Sequence, residues 1–570
     1  MRLADDIAFS NRERGSFLKI IVCFFCSLLF PSFIFAQKPA YRSISETDPS
    51  SYKIFTSLNT FGNSSLNIFA SNGEPLFYKD LATSCYDYNL QVGGTISYYN
   101  EDLSGFVILD SLLEEMDTIR ALNGYETDFH ELRKTKEGDY FIFGTKTRIV
   151  DMSQIIEGGI EDAQVKDMVV QKVDSDGNLL FEWKTEDHYN ILDSYTNMLT
   201  HIIYYVHFNS LEMDTDSSII VSSRNLRELT RINLKTGEVI WRMGGKNNQF
   251  EFRNFDRQFS GQHTISRKND SVFTIFDNGW LLEPRYSKGV EFKINEDSMI
   301  VEQLRDYRHD PDIYANIVGS LQNMDNGNTL IYWGVNELHE MGGKFTEYDP
   351  EGTIVHEGEF INCTAPTYRV FKYKWENKIF VVNQDKVEFP YVSVGDSAIM
   401  SVTLSNNTRD VVTVNEILSD QSCFSIEEER IDIYQEGQYE LELIFKPEQQ
   451  ADYSGYITLR AKDENSGVAL QIEVSGFGLS NNAVDLESDS MPFRMYPVPF
   501  SDHFFYSSEK EIASLIISGI DGRQYWSEEQ LSKSGKINTE DLPVTSFILS
   551  VFHKDGTRHT QKVIKTGSGF

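Results

Sequence analysis

Three histidines and one arginine stand apart by their local context. His130 lies in Thr127-Asp128-Phe129-His130-Glu131, ahead of a polar turn at Lys136-Glu137-Gly138-Asp139 and a strand-like run. His207 lies in His207-Phe208-Asn209-Ser210, and Arg224 follows 17 residues later in Val221-Ser222-Ser223-Arg224-Asn225. His263 lies in Gly261-Gln262-His263-Thr264, ahead of a strand ending Phe276-Asp277-Asn278-Gly279. A neutral imidazole is a nucleophile and proton carrier, and a guanidinium is a fixed fork of N–H donors for an oxyanion. Three imidazoles could also hold zinc. Against that chemistry, the histidines are scattered and none has an adjacent His or Cys. The sequence has no G-x-S-x-G, no H-E-x-x-H and no phosphate-binding glycine loop.

The elements that must position these residues are strands in a repeat. An alternating strand, a polar turn and a second alternating strand recur at Asn67–Phe77, Val170–Trp183, Leu229–Trp241, Val290–Leu304 and Phe345–Glu357, with a weaker copy at Phe106–Ile119. From Gly177 onward the spacing is about 60, 59 and 56 residues. Each copy is a hairpin by its period-2 pattern and turn chemistry. Further strand-like runs lie between them, at Tyr140–Thr145, Ser218–Ser223, Ser271–Asp277 and Thr329–Gly334. Two hairpins per repeat make a four-stranded unit, and repeats of this length fit propeller blades. The six copies predict a six-bladed β-propeller; unrelated hairpins in a sandwich are the alternative. The three histidines fall early in successive repeats, so a propeller would bring them and Arg224 to one mouth. His339 and His356 lack this phase and read as structural, and His309-Asp310-Pro311-Asp312 reads as a solvated loop.

The fold class expected is all-β throughout. Residues 379–478 hold short alternating strands at Ala398–Leu404, Val411–Ile417, Gln438–Phe445, Gly455–Ala461 and Ala469–Gly476, an immunoglobulin-like β-sandwich by pattern. The expected order is a signal peptide at 1–36, the propeller at 37–378, the sandwich at 379–478, a polar acidic linker at 479–491 and a small β module at 492–570. Apolar Ile20–Ala36, preceded by Arg12, Arg14 and Lys19, has the layout of a secretory signal peptide cleaved after Ala36. Cys23 and Cys26 fall inside it; Cys85, Cys363 and Cys423 remain, as one pair plus a free thiol or as three reduced thiols. No later stretch is apolar enough to cross a bilayer, so the mature chain is expected to have no membrane span. The net charge of −34 disfavours nucleic acid and anionic membranes as partners.

The ordered motifs resemble the arylsulfate sulfotransferases, exported bacterial six-bladed propellers that use no nucleotide sulfate donor. The resemblance covers about residues 120–360. It rests on Asp128-Phe129-His130, His207-x-Asn209-Ser210, Ser222-Ser223-Arg224, and Lys235 to Gly245 (KTGEVIWRMGG). It continues through Gln262-His263-Thr264, Phe276-Asp277-Asn278-Gly279 and Tyr286-Ser287-x-x-Val290-Glu291-Phe292. It implies transfer of a sulfuryl group from an aryl sulfate donor to a phenolic acceptor through a sulfohistidine, with no cofactor and no metal. His263 would be the nucleophile; His130, His207 and Arg224 would complete the catalytic set. Lys288 stands where members often have Arg, and Asn225 where they have His or a similar residue. The chain is also expected to be without the separate N-terminal dimerisation domain of longer members, which bears on oligomeric state and acceptor choice. A non-catalytic cell-surface propeller that binds a ligand or glycan is the alternative.

The last module opens Met495-Tyr496-Pro497-Val498-Pro499-Phe500, continues through Ile517 to Arg523 (ISGIDGR), and closes with Lys562-Val563-Ile564-Lys565. It is similar to the C-terminal sorting domains of the type IX secretion system of Bacteroidetes, with Val498 in place of the usual Asn. That resemblance implies the type IX machinery as a partner and a secreted or cell-surface location reached through the periplasm.

Overall fold

The computed structural model describes residues 40–46, 52–60, 63–215, 217–335, 343–361, 363, 367–390, 392–479, 493–496, 500, 503–519, 523–529, 531–543 and 546–565. The expected signal peptide, all of the expected linker but its first residue, Pro497 to Pro499 and His339 lie outside them. Helix among the described residues is confined to Thr185–His188 and two 3-10 turns. The fold is all-β, as the alternation predicts.

Six sheets form the propeller, each built on four antiparallel strands. The first blade runs Cys85–Leu90, Ile96–Asn100, Gly105–Leu109, Glu115–Ile119, and the second Glu126–Lys134, Tyr140–Val150, Ala163–Val173, Leu179–Lys184. The third is Phe208–Thr215, Ser218–Ser223, Glu228–Asn233, Val239–Gly244. The fourth is His263–Arg267, Val272–Asp277, Lys288–Asn295, Ile300–Tyr307, with Glu251–Arg253 on its outer edge. The fifth is Ser320–Asn323, Thr329–Tyr332, Lys344–Tyr348, Ile354–Ile361, with Ala40–Glu46 outermost. The sixth joins both ends of the domain: Val370–Lys374 supplies the inner strand and Tyr52–Thr60, Asn63–Phe69 and Pro75–Leu81 the outer three. Each repeat hairpin seen in the sequence is the outer pair of a blade.

The inner strands ring a central axis. Ser320 Oγ donates to the Val370 carbonyl (3.1 Å), and the Gln322 side chain bonds the Lys372 backbone in both directions (2.8 Å each), which joins the fifth blade to the sixth. Between blades the core is apolar and aromatic, with Trp183, Trp241 and Trp333 each at most 2% exposed.

The sandwich shares a sheet with the propeller. Ser466–Leu479 pairs with Pro75–Leu81 of the sixth blade, and Arg460 bridges Glu74 and Glu416. Residues up to Phe477 form one compact unit, so the step at 378/379 is a change of architecture within it. The second unit, from Gly478, has two sheets over a core of Phe493, Phe504, Ile512, Leu515, Ile517, Phe547 and Leu549. Cys85, Cys363 and Cys423 are unpaired thiols, which settles the choice left open by their odd number. No helix among the described residues is long and apolar enough to cross a membrane.

Candidate functional site

Strand register breaks where the site begins. In the first blade Tyr86 pairs Tyr99 but Asn89 pairs Ser97; in the third Phe208 pairs Ser223 but Ser210 pairs Ser222; in the fourth His263 pairs Phe276 but Ser266 pairs Thr274. In the second blade, Thr127 pairs Gly144 and Leu132 pairs Ile142, so Asp128 to Glu131 bulge outward together. Non-glycine residues with positive φ cluster here: Asp87 (51°) and Thr264 (52°) inside the inner strands of the first and fourth blades, and His207 (61°) and Val318 (54°) just ahead of those of the third and fifth. Bulges re-aim side chains, and left-handed backbone outside glycine concentrates at functional sites. Here they turn His130, His207 and His263 toward one mouth.

Two further side chains arrive by a second shared position, the first residue after the second strand of a blade. Arg224 follows Ser218–Ser223, and Asn278 follows Val272–Asp277. Arg224 N–H donates to the His207 carbonyl at 3.0 Å, which ties the guanidinium's origin to that histidine.

The four predicted residues come together. The rings of His130 and His207 meet edge to face at 4.7 Å. His207 feels His130, Arg224 and His263, and His263 feels Arg224 and His130. Burial first, then these neighbouring charges, hold both imidazoles well below the usual histidine range. For His263, the hydrogen bond to Asn278 opposes the shift. Both are therefore neutral at neutral pH.

Asn278 decides which nitrogen of His263 is available. Its amide Nδ2 donates to the carbonyls of Ala315 (2.9 Å) and Val318 (2.8 Å). That fixes the amide orientation and leaves Oδ1 facing His263 Nδ1 at 2.7 Å; the Gly261 carbonyl lies 3.0 Å from the same nitrogen. Two acceptors at Nδ1 require the proton there. The Nε2 lone pair is then unprotonated, and it has no hydrogen-bond partner among the described residues. Asp277 braces this arrangement by accepting from Ser260 N (2.8 Å) and Gly279 N (2.9 Å). Gly261 is required by space as well as by its φ of 66°, since a Cβ there would stand 2.5 Å from Trp280 Cβ.

Arg224 is 8% exposed and lies 4.7 Å over the ring of Trp280. Its Nη1 donates to Asn225 Oδ1 (2.9 Å) and its Nη2 to the Asn316 carbonyl (3.1 Å). The Asn225 amide is itself fixed by donation to the Tyr204 carbonyl (2.6 Å). Asn225, a departure from the family pattern, thus orients the arginine. Lys288 is buried and its ammonium is met by Asp256 and Asp306.

His130 Nδ1 faces Asp128 Oδ1 at 2.6 Å, and its ring stacks on Phe129 at 4.0 Å. Below the histidines, Arg369 binds Asp87 (3.0 Å), Glu131 (2.8 Å) and the Asn209 carbonyl (2.6 Å), while Tyr368 Oη reaches the carbonyls of His130 (3.1 Å) and Asn209 (3.2 Å). Asn209 in turn donates to the Gln262 carbonyl (2.7 Å), one residue before His263. This belt locks the first four blades and the closing strand beneath the mouth. Among the described residues no group of three or more His, Cys, Asp or Glu is arranged to hold a metal ion.

One sequence expectation changes. His309 is buried, not solvated: its Nδ1 meets the Pro311 carbonyl (2.7 Å) and its Nε2 meets Glu357 (3.1 Å), while Asp310 and Asp312 stay exposed. Asn278, Asn225, Trp280 and the Arg369 belt carry no role in the sequence reading. The position after each second strand is the signal that finds Asn278, because Arg224 already occupies its equivalent.

Residues 89–369 match the family described as Arylsulfotransferase (ASST). No curated protein matches the sequence. Among solved structures, a protein of unknown function from Bacteroides caccae is 11% identical, with 57% of this chain and 99% of that one covered and a TM-score of 0.38. Virginiamycin B lyase from Staphylococcus aureus is 7% identical, with 57% and 99% covered and a TM-score of 0.29. PorZ, a surface component of the type IX secretion system of Porphyromonas gingivalis, is 10% identical, with 90% and 70% covered and a TM-score of 0.26. The motifs, the convergent histidines and the family match agree: residues 89–369 of this chain are an arylsulfotransferase-family domain.

Proposed function

We propose that this domain transfers a sulfuryl group from an aryl sulfate to a phenol through a covalent sulfohistidine on His263. The family supports sulfuryl transfer from aryl sulfates in general; the covalent route rests on one observation, the Nδ1–H tautomer that Asn278 imposes on a neutral His263. In the first step the Nε2 lone pair forms an N–S bond as the aryl S–O bond breaks, and the phenolate leaves with the electron pair. His130, oriented by Asp128, gives that phenolate a proton. The Nδ1–H held by Asn278 carries the positive charge that develops on the ring. In the second step the acceptor phenol returns a proton to His130, its oxygen forms the new S–O bond, and the N–S bond breaks.

Arg224 suits the equatorial oxygens of the passing group, because a guanidinium fork is rigid and always charged. His207 donates a hydrogen bond to the same oxygens. Sulfuryl transfer, like phosphoryl transfer, depends mostly on positioning and charge stabilisation. A phenol, with a pKa of about 10, is both a tolerable leaving group and an activatable acceptor.

The test uses the chain from Gln37 with 4-nitrophenyl sulfate as donor and phenol as acceptor, beside His263→Ala. Acceptor-dependent formation of phenyl sulfate that vanishes in the variant supports the reading. Nitrophenolate release that continues past one equivalent without an acceptor indicates a sulfatase. No turnover on a panel of aryl sulfates returns the molecule to a ligand-binding surface propeller.

We further propose that the chain is exported and reaches the cell surface or medium by the type IX route. Apolar Ile20–Ala36 and the Met495–Phe500 and Ile517–Arg523 motifs support this. Expression in a type IX-competent host, with and without residues 492–570, tests it by the fraction of chain outside the cell.

A further inference from the structure

One cavity on the site face is used by none of these steps. It holds about 230 Å³ and is lined by Tyr86, Tyr99, Glu101, Ser104 and Phe129. Phe129 ties it to the reaction centre, since it stacks on His130 at 4.0 Å, packs at a tilt against Tyr86 at 4.6 Å and lies 6.2 Å from Tyr99. Its walls are thus aromatic, as one face of a bound ring would require. Its volume is several times the ~30 Å³ share of a water molecule, enough for a single substituted ring.

Glu101 gives the cavity its polarity. It is the first residue after Ile96–Asn100, the place that Arg224 holds in the third blade and Asn278 in the fourth. Its N–H bonds the Ser84 carbonyl (3.1 Å) as that of Arg224 bonds His207 (3.0 Å). So the first blade offers a carboxylate where the third offers a guanidinium, on the same rim. No cation pairs with that carboxylate among the described residues, and its charge bears on the Tyr86 hydroxyl, already pushed up to about 12 mainly by burial. An aromatic slot with an unpaired carboxylate attracts a cation attached to a ring.

We propose that this cavity is the acceptor's recognition subsite and that it selects phenols carrying an ammonium group on a short side chain. The assignment rests on the sulfotransferase reading for the word acceptor, and on geometry alone for the ligand class. Glu101 meets the ammonium, and Tyr86, Tyr99 and Phe129 meet the ring and chain.

Three probes of one shape separate charge from size: tyramine (cationic), 4-ethylphenol (neutral) and 4-hydroxyphenylacetate (anionic). Their affinities for the full chain are measured by calorimetry without donor, so no turnover is needed, and their KM and kcat as acceptors are measured separately. Tyramine is expected to bind about fivefold tighter than 4-ethylphenol, the worth of one partly exposed ion pair, with 4-hydroxyphenylacetate weakest. Glu101→Gln removes the preference. Glu101→Lys inverts it toward 4-hydroxyphenylacetate, which a structural role for Glu101 would not do. Equal affinities in the parent, or a preference that survives Glu101→Gln, overturn the proposal. A preference that holds while no transfer occurs refutes the sulfotransferase reading and leaves the cation-selective subsite standing.

Discussion

His263 and His356 are both buried, both neutral, and belong to different regions of the propeller. His356, in the strand Ile354–Ile361 of the fifth blade, has both nitrogens occupied: Nε2 meets the Tyr41 hydroxyl and Nδ1 meets Lys372 Nζ at 2.6 Å. Burial, with Lys372 beside it, pushes it down to about 3. His263 has one nitrogen occupied and the other turned to the mouth, beside Arg224 and two more histidines. A depressed pKa is therefore common to a structural and a chemical histidine. What separates them is the unused lone pair turned to the mouth, which only the tertiary arrangement provides.

The largest break in this comparison is by alanine. His263→Ala is expected to lower transfer by at least about 10⁴-fold with little change in the unfolding midpoint. His356→Ala is expected to leave kcat per folded molecule near the parent's while destabilising the fold by about 2–4 kcal/mol, because it opens a buried cavity and takes one hydrogen-bond partner from buried Lys372, which keeps Glu347. Steady-state kinetics and urea unfolding on both variants check the pair.

Next is Arg224→Lys. It keeps the charge but loses the fork and the Asn225 and Asn316 contacts, so kcat should fall by roughly 10²–10³-fold, the usual effect of removing one oxyanion donor. Asn278→Asp sharpens the tautomer argument. A carboxylate at Nδ1 favours the imidazolium, so the acid limb of the pH–rate profile should move up toward neutrality, with about tenfold loss of kcat near pH 6. An unmoved limb would mean that Asn278 does not act through His263.

The smallest effect is on stability. His207, His263 and His356 stay neutral in the fold and protonate near pH 6.5 when unfolded. The unfolded chain therefore binds more protons below that pH. Stability is full above about pH 6.5 and falls as pH drops, by up to about 1.4 kcal/mol per pH unit for each histidine. The buried Asp87, Asp277, Glu212 and Glu228, all raised mainly by burial, work in the opposite direction. The histidine share is isolated by comparing unfolding midpoints of parent and His207→Asn across this range; the variant should show the shallower slope.

The strands were legible because alternation and glycine turns are local. Every outer hairpin, from Asn67–Phe77 to Phe345–Glu357, follows from residues within about a dozen positions of each other. His130, His207, His263 and Arg224 were legible because the repeat gives them a common phase. The Arg369–Asp87–Glu131 belt was not, since its members lie in different blades and meet only when the ring closes. The bulges at Asp128–Glu131 and Asn209 follow no period, so nothing in the pattern announces them. His309 was misread because its neighbours Asp310 and Asp312 are polar, while its own partner, Glu357, is 48 residues away.

The covalent claim is tested most directly by omitting the acceptor. Parent chain is mixed with 4-nitrophenyl sulfate, quenched in alkali, and analysed by intact mass and peptide mapping. A nitrophenolate burst of about one equivalent, with one sulfuryl group on the peptide containing His263, is the predicted result. Transfer that proceeds with no burst and no label, or a label on any other residue, would contradict it.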